Sequence, residues 1–378
     1  MLARRTCAGP VLSRIPFGIT ATASEQYIWY EHRKQRPPLA VARLRIRSVE
    51  ASSGDQAPRS AAERAQSTRE LNLPEFTDSP VTGDTANLRK GLQLPPDRST
   101  AIVLGGGGVL GAVQVGMVRA LVEAGVRPDL VVGTSIGALN GAVLAALPPE
   151  EVADRLDALW RSPDAQALFA GGTVRRLREL ARSGVAAHPS GPLRRAVTAV
   201  LGDRRIEDLP VRFTCCAARI EDAAEHWFDR GPVVDAVLAS AAVPGLLPPA
   251  VIAGRHYLDG GLVNSIPLGR AVELGADRVF VLHVGRVDQP LRPPQRPWEV
   301  ALVAFEIARR HRYARDLASV GDNVEVHVLP AGEGSTPRWD SRAALRYRDV
   351  AAAGNRIAAA HRASVEYLRA RLGTGGRR

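Results

Sequence analysis

The sequence predicts an α/β domain over residues 99–372, and three observations predict it. From Thr100 onward, apolar strand-like runs alternate with helical patterns almost to the end. Glycine clusters stand where strands hand over to helices, as in "LGGGGVLG" (104–111) and "GTSIG" (133–137). With 378 residues, 45% of them hydrophobic, the chain can bury a large core. Residues 1–98 differ: "RKQRPP", "EASSGDQAPRSAAERAQS" and "EFTDSPVTGDT" sustain no apolar period, so this extension is expected to be mostly disordered, as is the tail 373–378. No internal repeat is visible.

The first strand, "AIV", runs into the glycine cluster and then into "VLGAVQVGMVRALVEAG". There Val109, Val113, Met117, Ala120, Leu121 and Ala124 recur at three- and four-residue steps, and Gly125 is a plausible helix stop. Read literally, Gly106-x-Gly108-x-x-Gly111 fits a dinucleotide-binding fingerprint. Such a unit would close its second strand with Asp or Glu to hold a ribose. The strand "DLVVG" ends instead in Gly133-Thr134-Ser135-Ile136-Gly137, a G-x-S-x-G followed by the small-residue helix "ALNGAVLAAL". A strand-to-helix turn of this kind strains the serine backbone and exposes its hydroxyl at a helix N-terminus; the flanking Gly133 and Gly137 relieve the crowding. Ser135 is therefore a candidate nucleophile, the alternative being a helix N-cap. Loops after adjacent strands of a doubly wound sheet lie side by side, so the N–H groups of the glycine loop are candidates for an oxyanion site; a nucleotide-binding regulatory module using Gly106–Gly111 is the competing reading.

A base should come from a later strand end. "AVIAGRHYL" reads as a strand leading to Asp259, and Gly260 and Gly261 allow the tight turn that an acid reaching toward Ser135 would need. His283, in "VFVLHVG", completes a Ser, Asp, His chain order and is the alternative base. The remaining histidines, among them His188, His226, His256, His311, His327 and His361, form no metal-ligand spacing, and neither metal nor cofactor is expected. Cys215 and Cys216 in "RFTCCAARI" should point to opposite faces of a strand. With Cys7 they make no disulfide framework, which favours a reducing, cytoplasmic setting.

The net charge of +11 is spread over both parts of the chain with acids interleaved, and aromatics are 5% of residues, so a nucleic-acid partner is not expected. Pro10, Arg14 and Pro16 interrupt any secretory h-region, and no run reaches the length of a bilayer span. The stretch "PWEVALVAFEIARRHRYARDL" (297–317) reads as a helix with Trp298, Leu302, Phe305 and Ile307 on its apolar side and Arg309, Arg310, Arg312 and Arg315 near its end. It either packs on the sheet or makes peripheral contact with an anionic membrane surface.

"GGGGVLG", "GTSIG", "ASAAVPGLLPP" (239–249) and "DGGLVNSIP" (259–267), in this order and spacing, resemble the patatin-like phospholipases, serine lipid acyl hydrolases with a Ser–Asp dyad. The resemblance covers about residues 100–370, including a closing strand "VEVHVLP" and a terminal helix near 342–371. It implies a three-layer α/β/α sandwich with a mostly parallel central sheet, Ser135 as nucleophile, Asp259 as base, and an oxyanion hole from the N–H groups of Gly106, Gly107 and Gly108. It further implies a lipid ester substrate, phospholipid or lysophospholipid, with a soluble carboxylesterase or thioesterase as the alternative. Three positions depart from the family pattern: Leu110 where the loop usually carries Arg or Lys, Ser265 where Asn is frequent, and His283 where Asp is common.

Overall fold

In the computed structural model, residues 98–165, 188–285, 287, 290–332 and 350–372 are described. The expectations for residues 1–97 and 373–378, and for a terminal helix beginning before residue 350, lie outside them. The described chain alternates strands and helices: β1 (Thr100–Leu104), a 3-10 turn (Gly108–Ala112), α1 (Val113–Glu123), β2 (Leu130–Thr134), α2 (Ile136–Ala146), α3 (Pro149–Arg161) and α4 (Gly191–Leu201). Then come β3 (Arg212–Arg219), β4 (Ala224–Phe228), α5 (Val233–Ser240), β5 (Ala250–Ile252), β6 (Arg255–Asp259), α6 (Leu268–Glu273), β7 (Arg278–Leu282), α7 (Pro297–Ala318), β8 (Glu325–Val328) and α8 (Val350–Leu372).

The sheet runs β5-β6-β3-β2-β1-β7-β8, with β4 also paired to β3. β3, β2, β1, β7 and β8 are mutually parallel, and β4, β5 and β6 pair antiparallel. The central strands are buried on both faces, which is why they read as continuous apolar runs rather than alternating ones. Their side chains divide by the two-residue period of a strand: Ile102, Leu104, Val131, Phe280 and Leu282 join one core, with residues of α1–α5 and α8. Ala101, Val103, Leu130, Val132, Val279 and Val281 join a second core with α6 and α7. Helices thus cover both faces, an α/β/α sandwich.

Two predicted elements take a different form. "AVIAGRHYL" is not one strand: Ala253 (φ 49) and Gly254 (φ 74) form a two-residue turn between β5 and β6, which pair antiparallel. Positive φ at both central positions matches the twist of a tight hairpin, and alanine tolerates it less well than the Asn or Asp that would have signalled the turn. The run 109–125 likewise opens as a 3-10 turn and becomes α-helical only at Val113, with Gly125 (φ 78) just past its end.

Candidate active site

Strand register brings the predicted residues together. Leu104 pairs with Gly133 and Leu282, and Gly133 pairs with Cys215. Two residues further along each chain stand Gly106, Ser135, Val284 and Ala217, one row at the carboxyl ends of the parallel strands. Cys215 and Cys216 pair with β2 on one edge of β3 and with β4 on the other, while Ala217–Arg219 pair with β4 and β6. Hence β6 takes over the edge of β3 that β2 leaves at Thr134. Running antiparallel, it delivers Asp259, opposite Ala217, head-on to Ser135.

Ser135 sits at φ 58, ψ −123, a conformation that costs a non-glycine residue on the order of 1–3 kcal/mol and persists only where its surroundings hold it. Those surroundings are tight. A Cβ at Gly137 would collide with the Leu104 carbonyl, and one at Gly133 would lie 2.5 Å from the Gly137 oxygen. The Ser135 N–H donates to Ser240 Oγ at 2.8 Å, and that hydroxyl donates to the Cys216 carbonyl at 2.5 Å. Ser135 Oγ donates to Asp259 Oδ2 at 2.5 Å, and the other carboxyl oxygen accepts from the Gly261 N–H at 2.7 Å. Gly260 is pressed so close to the Cys216 carbonyl that any side chain there would clash. Both Ser135 and Asp259 are 6% exposed. Burial pushes the Asp259 carboxyl up to about 6, outweighing the hydrogen bonds from Ser135 and Gly261 that favour its anion. A carboxylate of that proton affinity, bonded to a hydroxyl held in a strained turn, can accept the proton of an attacking oxygen.

The glycine loop requires one correction. The Gly106 N–H is already bonded to the Ser265 carbonyl at 2.8 Å, and the Gly105 N–H to the Leu282 carbonyl at 3.1 Å. Gly106 therefore touches Ser135 through its Cα, where an added Cβ would lie 3.3 Å from Ser135 Cβ, rather than offering a free donor. Among the described residues, the N–H groups of Gly107 and Gly108 have no protein acceptor. Gly107 rests against Val284, which leaves no room for a side chain.

Beneath the loop lies a buried polar chain that the sequence reading missed. Gln114 Nε2 donates to the carbonyls of Gly105 (2.9 Å) and Leu282 (2.8 Å); Asn140 Nδ2 donates to Gln114 Oε1 (2.8 Å) and the Gly111 carbonyl (3.1 Å); Trp160 Nε1 donates to Asn140 Oδ1 (3.1 Å). Gln114 and Asn140 are both wholly buried. The available signal was a lone amide among apolar neighbours in each of two helices. Gln114→Leu leaves the Gly105 carbonyl and an Asn140 donor unpaired, and is expected to cost about 3 kcal/mol in urea unfolding and to lower turnover by loosening the loop. Unchanged stability would mean that water satisfies those groups equally well.

Leu110 is 2% exposed and part of the core, so the loop carries no charge. Ser265 contributes its carbonyl to Gly106, and Asn264 Nδ2 donates to Glu225 Oε1 at 3.1 Å. His283 is buried, and burial together with Arg309 pushes its imidazole down to about 4, so it is neutral at pH 7. The hydroxyl of Ser135 is bonded to Asp259. Among the described residues no cluster of His, Cys, Asp and Glu could hold a metal ion. α7 differs from its predicted orientation: Ile307 is 55% exposed, whereas Glu306 and Arg309 are buried.

Residues 102–272 match the family model described as patatin-like phospholipase. The chain carries a patatin-like phospholipase domain. Over 218 residues, 56% of its length, it is 34% identical to lysophospholipase nte1 of Aspergillus terreus and, over the same length, 33% identical to that of Emericella nidulans. It spans 13% of the length of these relatives. Among solved structures, VipD of Legionella pneumophila aligns with a TM-score of 0.39 at 15% identity, covering 72% of this chain and 67% of that one. The type III effector protein ExoU aligns at 0.32 and 16%, covering 73% and 53%. The matched part of the patatin-like domain runs from β1 into α6 and contains the glycine loop, Ser135 and Asp259; α7 lies beyond it.

Proposed function

We propose that this chain is a serine acyl hydrolase that cleaves an ester of a phospholipid or lysophospholipid. The observation that carries the reading is the 2.5 Å hydrogen bond from Ser135 Oγ to Asp259, a buried carboxylate whose pKa is raised to about 6. Asp259 Oδ2 takes the Ser135 proton as Oγ attacks the acyl carbonyl, and the N–H groups of Gly107 and Gly108 bind the oxyanion. Collapse of the tetrahedral adduct breaks the ester bond, and the proton on Asp259 passes to the departing alkoxide. Water, deprotonated by the same carboxylate, then attacks the acyl-enzyme, and the proton passes from Asp259 back to Oγ as the fatty acid leaves and Ser135 is restored. The family match and the relatives named lysophospholipases support a lipid substrate. Labelling of Ser135 by a fluorophosphonate, together with faster turnover of lysophospholipid than of a short-chain ester, is the expected result. Labelling with turnover confined to the short ester would make the protein a soluble carboxylesterase or thioesterase, and thermal stabilisation by NAD or ATP without labelling would favour a nucleotide-binding module.

No helix among the described residues is long and apolar enough to cross a membrane. We place the enzyme in the cytoplasm, in keeping with the buried free thiols Cys215 and Cys216, with peripheral attachment to anionic lipid. Arg309, Arg310 and Arg312 are committed to ion pairs with Glu306, Glu225 and Asp316. Attraction to lipid must therefore come from other basic residues such as the exposed Arg292, Arg296 and Arg315. Hydrolysis of anionic vesicles is expected to slow as salt shortens the Debye length to about 8 Å, while turnover of a soluble ester barely changes. Equal salt sensitivity for both substrates would refute the attachment.

A further inference from the structure

α7 lies outside the matched segment, yet it is bonded to both halves of the candidate site. Arg312 Nη1 donates to the Val263 carbonyl at 3.4 Å and to Glu225 at 3.0 Å, and Phe305 packs against Gly261, both next to the turn that carries Asp259. Arg309 reaches the other half. Its Nε and Nη2 form a two-pronged pair with Glu306 at 2.9 Å each, and Nη2 also donates to the Val284 carbonyl at 3.3 Å. Neither side chain reaches solvent: Arg309 is 0% and Glu306 1% exposed. A buried ion pair adds little net stability over an apolar pair of the same size, so its location is more informative than its energy. That location is the main chain of Val284, the residue against whose side chain Gly107 rests.

We propose that Arg309, locked by Glu306, is a positioning residue for the oxyanion-binding loop: by holding the Val284 carbonyl it fixes the surface against which Gly107 is pressed. The inference rests on the acyl hydrolase reading above. Three observations support it together. β7 and the residues just after it meet the loop at two points, through Gly105 to the Leu282 carbonyl and through Gly107 to Val284, so displacement of residue 284 is transmitted to the donors. The loop itself carries no charge, since Leu110 stands in the core, so its placement rests on the neighbours it packs against, Val284 among them. Finally, Glu306 Oε1 also accepts from Arg310 Nε at 2.9 Å, so the carboxylate keeps a partner if Arg309 is removed.

The test compares Arg309→Met and Arg309→Lys in the full chain with Arg278→Met. Arg278 is also buried and paired, with Glu325, but lies at the opposite end of β7 from residue 284. Melting temperature, kcat and KM on a soluble short-chain ester, and the rate of Ser135 labelling by a fluorophosphonate are measured for each. For Arg309→Met, kcat and labelling rate are expected to fall together by about tenfold to a hundredfold with KM within about threefold, and Arg309→Lys should recover part of the loss. Arg278→Met should lower the melting temperature but leave kcat within about twofold of the parent. If Arg309→Met does not fold, Glu306→Gln, which keeps the shape and removes the charge that locks the guanidinium, should lower kcat in the same direction. Labelling of Arg309→Met, or in its place of Glu306→Gln, as fast as the parent would overturn the inference while leaving Ser135 as the nucleophile. A parent protein that does not label at all would overturn the hydrolase reading instead.

Discussion

Ser135→Ala and Asp259→Asn are each expected to lower kcat on a soluble ester by about 10⁴-fold or more while leaving the protein folded. Without Oγ no acyl-enzyme can form, and what survives is the contribution of binding and the oxyanion site. The asparagine variant is the sharper of the two because it preserves the geometry. Its carbonyl can accept the Gly261 N–H as Asp259 Oδ1 does, and its amide can sit where Oδ2 meets Ser135. Only the capacity to take a proton is lost. Aspartate is an intrinsically weak base, so the reaction depends on the close placement of the two groups and on the oxyanion site carrying much of the barrier. His283→Ala should cost less than about tenfold, because the Ser135 hydroxyl is bonded to Asp259 rather than to this imidazole, and an imidazole pushed down to about 4 is a weaker base than the carboxylate at about 6. A nearly silent Asp259→Asn together with an inactive His283→Ala would replace the dyad with a Ser–His mechanism.

The strand ends that carry Ser135 and Asp259 were legible because each is marked by glycines whose absent side chains are required: Gly133 and Gly137 around one, Gly260 and Gly261 after the other. The layered α/β fold was legible for a similar reason, since strands buried on both faces and helices of alternating period leave local patterns. What stayed hidden depends on partners without a sequence signature. The Gly106 N–H is taken by the carbonyl of Ser265, more than 150 residues away in the chain, and every residue has a carbonyl. The break at Ala253 and Gly254 was hidden because alanine does not announce a positive φ. The face of α7 was misread because a buried Glu306–Arg309 pair imitates a solvated stripe: composition alone cannot distinguish charges facing water from charges facing each other.

The raised proton affinity of Asp259 carries a second large effect, on stability, with a definite sign. In the unfolded chain the carboxyl ionises near its ordinary 3.8; in the folded protein burial moves that to about 6. Below the lower value both states are neutral and the site costs nothing. Between the two, the unfolded chain has lost its proton while the folded protein still holds it, so stability declines as pH rises. Above the upper value both are ionised and the penalty is constant, on the order of 3 kcal/mol for a shift of this size. Asp259→Asn, neutral at every pH, should therefore be more stable than the parent at pH 8 by roughly that amount, raising Tm by several degrees, with the difference shrinking through pH 6 and vanishing near pH 4. The same ionisation sets catalysis in the opposite sense. The base works only as the anion, so kcat/KM of the parent should rise with pH through a midpoint near 6. The two measurements constrain each other. If Asp259→Asn were less stable than the parent at pH 8, the carboxylate would be favoured by its site rather than disfavoured, and the acid limb of kcat/KM would have to lie below pH 4. A stabilised variant with an acid limb near 6 would show that burying this charge destabilises the fold and supplies the base.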